Sequence, residues 1–201
     1  MAWIRTVEYA DSEGKLRNLY DRVKGPGDNV DNILKAHSLR PHTLEAHLYV
    51  YKYVLHHCAN RLPKWLLEAV GVYVSMLNGC NYCVDHHSTG MARLLGDTAR
   101  TAAIVAALRA DRPEDAFSGR EAAALRYARA LTRDPAGLSA ADIDAMRAAG
   151  LDDGEILEIN QVTAYFAYAN RTVQGLGVTI KGDILGLSPG DSADPDNWSH
   201  A

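Results

Sequence analysis

Residues 68–87 read EAVGVYVSMLNGCNYCVDHH, and within them Glu68, Ser75, Cys80, Cys83 and His87 stand in the order Glu-x6-Ser-x4-Cys-Asn-Tyr-Cys-x3-His. Up to Leu77 the apolar residues recur at helical spacing: Leu67, Val70, Val74 and Leu77 form one stripe, while Glu68 and Ser75 share a different face two turns apart. Asn78-Gly79 interrupts this pattern, because both residues favour turns and caps. Pro63 can open the first helix. Met91, Leu94 and Leu95 continue a second one after the turn, until Gly96-Asp97 closes it.

The chemistry follows from the same spacing. On a helix, Cys80 and Cys83 at i and i+3 lie about 5–6 Å apart, inside the Cα separation that a disulfide spans. The two thiols can therefore close and reopen a bridge without remodelling the fold. Cys83 and His87 at i and i+4 share a face, so the imidazole can accept or relay the thiol proton. A helix beginning at Cys80 would add its N-terminal partial charge, which favours thiolate. A carboxylate, a hydroxyl, two thiols and an imidazole can thus meet in one pocket.

Other readings compete for these residues. A free cysteine most often simply packs in a core. Cys80, Cys83, His87 and Glu68 could together ligate zinc, yet structural zinc usually draws on two separated ligand pairs. A c-type haem needs a histidine directly after the second cysteine, where Val84 stands, which excludes it. The expectation is no metal and no cofactor.

Working outward, the 201 residues are 47% hydrophobic, enough for one core and one domain. Leu16, Leu19, Tyr20 and Val23 mark a first amphipathic helix that Gly25-Pro26-Gly27 ends, and Val30, Ile33, Leu34 and His37 mark a short second. Pro41 opens a third with the stripe Leu44, Leu48, Tyr51, Leu55 and Cys58, which predicts a packed Cys58. His42, His47, His56 and His57 lie on or near it without metal-cluster spacing and receive no role. Beyond the central stretch, Asp97 caps a helix through Ile104 and Leu108, and Ser118-Gly-Arg-Glu121 reads as a capping box. Ser139 caps a short helix, and Asp152-Asp-Gly-Glu155 opens a long one running to Gly175-Leu-Gly177. No alternating strand appears, so the chain should be all-α: one helical domain over 1–181 and a loosely ordered C-terminal tail over 182–201, unless Trp198 docks that tail on a neighbour.

Charge and targeting signals narrow the setting. Twenty-one basic and 25 acidic residues give a net charge of −4 without long runs, so no nucleic acid and no membrane partner is expected. The start MAWIRTVEYADSEGK lacks the apolar core of a secretory signal, and no apolar run approaches the roughly 18 residues needed to span a bilayer, which predicts a cytoplasmic protein. A CxxC in that compartment reads as redox-active or metal-binding rather than as a structural bridge.

Glu68-x6-Ser75-x4-Cys80-x-Tyr82-Cys83-x3-His87, followed by Ala164-Tyr-Phe-Ala-Tyr-Ala-Asn170-Arg171 and Gly175-Leu-Gly-Val178, resembles the peroxidase-related branch of the alkylhydroperoxidase D-like, carboxymuconolactone decarboxylase superfamily. The resemblance covers about residues 10–180. It implies an oligomeric all-helical bundle (dimer, trimer or hexamer) that reduces a hydroperoxide substrate and is recycled by an unknown dithiol or thioredoxin-like reductant. Carried over by position, Cys83 would be the peroxidatic cysteine and Cys80 the resolving one, joined as a redox disulfide after turnover. His87 and Glu68 would form the proton relay that makes Cys83 a thiolate, with Tyr82 and Ser75 in support. The best-studied relatives carry histidine where Tyr82 stands. A phenol of pKa about 10 cannot be a base near neutral pH, but it can donate a hydrogen bond to peroxide or thiolate. Two other classes compete with a thiol peroxidase. A decarboxylase-like lyase would need cationic or histidine groups for a substrate carboxylate and has no use for CxxC, and a zinc-stabilised structural module would bind stoichiometric metal.

Overall fold

The computed structural model describes residues 2–190, 192–194 and 196–199. Residue 1 of the expected domain and residues 191, 195, 200 and 201 of the expected tail lie outside the described residues. The architecture is all-α: α1 (Gly14–Val23), α2 (Asn32–Ala36), α3 (Pro41–Tyr51), α4 (Lys64–Leu77), α5 (Asn81–Leu95), α6 (Thr98–Arg109), α7 (Gly119–Arg133), α8 (Ala140–Ala148) and α9 (Asp153–Gly175). Among the described residues no helix is long and apolar enough to cross a membrane.

The core is built around α4, which packs on α5, α6, α7 and α9. Every residue from Leu66 to Ser75 is buried, the state expected of a helix that is apolar on nearly all sides. Each Leu or Val enclosed there contributes roughly 1.5–3 kcal/mol. Gly71 lies against the Phe166 ring of α9: a Cβ at this position would lie 2.1 Å from Phe166 Cε2, so even alanine would force that ring to move.

The turn between α4 and α5 positions the two cysteines. Gly79 sits at φ +69°, and the Gly79 and Cys80 amides donate to the Met76 and Ser75 carbonyls at 3.1 and 2.8 Å. This Schellman closure satisfies the last carbonyls of α4 and turns the chain back on itself. Cys80 is left as the N-cap residue of α5. Capping boxes also start α8 at Ser139/Asp142 and α9 at Asp152/Glu155. At Ser118 the expected box does not form, and α7 begins without a side-chain cap.

One departure from the sequence expectation matters for the site, and so do the contacts of the tail. The stripe of α3 does not run on to Cys58: after Tyr51 the chain makes a π-turn over Lys52–His56, whose wider winding shifts the register. Leu55 stays buried, His56 turns inward, and Cys58 is exposed rather than packed. The tail, in turn, is held by contacts within the chain. Trp198 is buried and stacks on Tyr51, the Lys52 ammonium donates to the Asn197 carbonyl, and the Arg93 guanidinium donates to the Gly186 carbonyl.

Candidate active site

A cavity opens beside Cys83, walled by α3, α4, α5 and α9 and roofed by tail residues Gly186 to Pro189 and Trp198. Glu68 from α4 and Cys83 and His87 from α5 all face it, as the i, i+4 spacing of the latter two requires. Glu68 is 2% exposed. Its Oε2 lies 2.7 Å from His87 Nδ1, and its Oε1 lies 3.6 Å from His56 Nε2, which in turn is 3.0 Å from the Tyr51 hydroxyl. Burial pushes the Glu68 carboxyl up, but the charge and hydrogen bond of His87, with His56 behind it, hold it below its ordinary range. Gly90 leaves room for this carboxylate, which a Cβ there would meet at 3.8 Å.

The two thiols are reduced and buried, with their Sγ atoms 3.2 Å apart. Ser75 and Asn170, both fully buried, flank them. The Asn78 amide donates to Asn170 Oδ1 at 2.9 Å, which turns the Asn170 NH2 toward Ser75 Oγ at 3.0 Å and toward the sulfurs. Acidity divides unequally. The hydrogen bond from Cys83 lowers the Cys80 thiol against the effect of burial, with help from Asn170 and from the Cys83 and Tyr82 backbone amides, to about 7. Cys83 is pushed well above the ordinary thiol range by that same bond, by burial and by the Cys80 charge, against weaker support from Asn170 and Ser75. Of the two thiols Cys80, which caps α5, is the one whose acidity is raised, while Cys83 faces the cavity.

Tyr82 also differs from expectation. Its hydroxyl donates to Asp183 Oδ2 at 2.7 Å and accepts from the Ile33 amide at 3.1 Å, so the donor expected to serve peroxide or thiolate is engaged on the tail. The Asp183 side chain is fully buried, and it also meets His86 Nε2 at 3.2 Å and the Asn32 amide at 3.0 Å.

The Carboxymuconolactone decarboxylase family model matches residues 41–130. In structure the chain is similar to an uncharacterized peroxidase-related protein from Silicibacter sp. TM1040, with 27% identity, 73% of this chain and 74% of that one covered, and a TM-score of 0.66. It is also similar to the alkylhydroperoxidase AhpD core of an uncharacterized peroxidase-related protein from Ralstonia eutropha JMP134, at 20% identity over 92% and 96% of the two chains and a TM-score of 0.78. The fold is that of the alkylhydroperoxidase D-like proteins, and residues 41–130 are similar to the carboxymuconolactone decarboxylase family. A third similar fold within reach of this AhpD-like chain is the debrominase Bmp8, at 20% identity over 87% and 90% of the chains and a TM-score of 0.70. An alanine variant of that protein has been solved with 2,3,4-tribromopyrrole. No curated protein matches the sequence.

In this AhpD-like chain the structure brings Glu68 together with His87, and Cys80 and Ser75 together with Cys83. The four donors considered for zinc do not converge among the described residues, where the one grouping of metal-binding type is Asp31, His86 and Asp183, with donor atoms within 4.8 Å of one another. Tyr82, His86 and Asn32 already occupy the Asp183 oxygens. Sequence reasoning passed over His56, Tyr51, Asn170 and Asp183. Only Asn170 carried a signal, as a polar residue within the segment that the family resemblance quoted.

Proposed function

We propose that the protein is a thiol-dependent peroxidase that cycles Cys80 and Cys83 between dithiol and disulfide. The observation that carries this reading is the layering of the site: Cys83 faces the cavity, Cys80 lies 3.2 Å from it, and the Glu68–His87 pair lines the same cavity. Cys83 passes its proton to the Cys80 thiolate across the sulfur contact. The resulting Cys83 thiolate attacks the distal oxygen of ROOH, the O–O bond breaks, and the leaving alkoxide takes a proton from protonated His87, whose charge Glu68 balances. Cys83 is now a sulfenic acid. The Cys80 sulfur displaces its hydroxyl, which leaves as water with the Cys80 proton, and the disulfide forms before over-oxidation. Two thiols and ROOH thus become a disulfide, ROH and H2O. An external dithiol of thioredoxin-like type returns the enzyme to its reduced state, and the working enzyme is a cytoplasmic homo-oligomer.

A second reading uses the same dithiol to remove halogen reductively from a ring, with halide and the disulfide as products. The ring-lined cavity favours it, with Tyr51, Tyr82, Tyr165 and Trp198 in the walls. Intact mass of the reduced protein decides between them. With cumene hydroperoxide it should fall by two hydrogens as alcohol appears in equal amount; unchanged mass with hydroperoxide, together with halide release from a bromopyrrole, would replace the first reading by the second.

A further inference from the structure

We propose that Tyr51 is a further catalytic residue of the dithiol site: its hydroxyl donates a hydrogen bond to the leaving oxygen of the hydroperoxide as the O–O bond breaks, and His56 holds it in place. This deepens the peroxidase reading and rests on it. A phenol was expected to serve the peroxide from position 82, but the Tyr82 hydroxyl is engaged on Asp183. Tyr51 lines the cavity beside Cys83 together with His87, and the two ring centroids are 6.2 Å apart. The winding of the chain builds this second arm. Tyr51 ends α3, and His56 ends the π-turn that follows, five residues on. In an α-helix that interval puts two side chains on different faces, whereas the i to i+5 winding of a π-turn brings them together. His56 Nε2 accordingly lies 3.0 Å from the Tyr51 hydroxyl and 3.6 Å from Glu68 Oε1, while Glu68 Oε2 holds His87. One buried carboxylate thus carries two arms that end in the same cavity.

These neighbours fix the direction of the bond. The Glu68 carboxyl is held below its ordinary range by its histidines, so it is charged at neutral pH. A lone pair on His56 Nε2 would be repelled by that carboxylate, and an N–H is attracted to it. The proton therefore sits on Nε2, where it meets two acceptors, Glu68 Oε1 and the Tyr51 oxygen. With its oxygen accepting from His56, the Tyr51 hydroxyl has its own hydrogen left for the cavity, since among the described residues it has no other hydrogen-bond partner. Burial and the Glu68 charge push the Tyr51 phenol well above its ordinary range, so it stays a donor near neutral pH. The step balances as before. The Cys83 thiolate forms the S–O bond, the O–O electron pair passes to the alkoxide oxygen, and His87 supplies that oxygen's proton. Tyr51 keeps its own proton and stabilises the charge building on the leaving oxygen.

The test compares leaving groups. Reduced wild-type and Tyr51→Phe proteins are mixed with cumene hydroperoxide or with peroxybenzoic acid, and the rate at which each protein loses two hydrogens is read by quenched-flow mass spectrometry. An alkoxide leaves as a strong base that needs a donor, whereas benzoate, a carboxylate of pKa about 4, does not. Tyr51→Phe should slow the hydroperoxide reaction about 10²-fold, the scale of one lost oxyanion donor, and the peracid reaction by less than about fivefold. His56→Leu should show the same one-sided loss at smaller size, at least about threefold, because the hydroxyl stays but is no longer aimed. Equal slowing of Tyr51→Phe with both oxidants, or slowing with neither, overturns the proposal and leaves the peroxidase reading standing. A His56→Leu protein as fast as wild type with the hydroperoxide overturns the part given to His56. A wild-type protein that loses no hydrogens with either oxidant contradicts the peroxidase reading itself, and this inference with it.

Discussion

His86 and His87 are neighbours on α5, and each is held by a buried carboxylate, yet the two carboxylates come from opposite kinds of structure. Glu68 projects from α4, the helix packed on four others. Asp183 projects from the tail beyond α9, where it gathers Tyr82, His86 and the Asn32 amide. A group on a rigid, enclosed helix can keep a proton donor aligned through a reaction, whereas a group on a segment held by a few polar contacts serves to close a site and can release it. On the proposed chemistry the same side-chain pairing would act as a relay on one side of α5 and as a latch on the other. Experiments can break that contrast, and those with the largest effects concern the relay side.

Cys83→Ser should abolish reaction with hydroperoxide, a loss of at least about 10³-fold of the size seen when an activated nucleophile is removed. Cys80→Ser should react once and stop at a sulfenic acid, or go on to sulfinic acid with excess oxidant. A dimedone-type trap with mass spectrometry reads which sulfur holds the oxygen; an adduct on Cys80 in the Cys83→Ser protein would exchange the two roles. Glu68→Gln should lower kcat/KM by about 10²-fold, the scale of a positioned acid–base group, with its fold intact by circular dichroism. A loss below about threefold would remove Glu68 from the relay.

Acidity gives the next effect in size. The lowered Cys80 pKa means that thiolate absorbance should rise through pH 7 and level off above it, since a depressed thiol ionises at lower pH. Cys83→Ala removes the largest cause of the depression, so the midpoint should move up toward the ordinary value of 9.0. A midpoint that stays near 7 would assign the depression to the α5 N-terminus and Asn170 instead.

The helix order and the α4–α5 turn were legible because their causes are local: apolar periodicity, an Asn-Gly stop, Asp and Ser caps, and i, i+4 pairing of Cys83 with His87. What stayed hidden depends on long-range contacts. Which sulfur becomes the thiolate is set by hydrogen bonds that include Asn170, nearly ninety residues away in sequence. Inward-facing His56 depends on a π-turn that no periodicity count reveals, and the same shift exposes Cys58. At Ser118 the sequence pattern of a capping box was present while the side-chain bond was not. Asp183 reads as an ordinary polar residue of a tail until the fold encloses it against Tyr82.

The smallest expected effect tests the latch. Asp183→Asn keeps the size and an accepting oxygen but removes the charge that Tyr82, His86 and the Asn32 amide share, a loss of about 1–3 kcal/mol for a hydrogen-bonded charged group. Because these contacts anchor the tail and not α4, the cost should appear as faster amide exchange and protease cleavage within 184–199, with the unfolding midpoint of the helical body nearly unchanged. Peroxidase kcat/KM should fall by less than about fivefold, since Cys83, His87 and Glu68 keep their places. If Asp183→Asn instead costs as much activity as Glu68→Gln while the tail stays protected, then the His86 pair belongs to the chemistry, and the two sides of α5 are two relays rather than a relay and a latch.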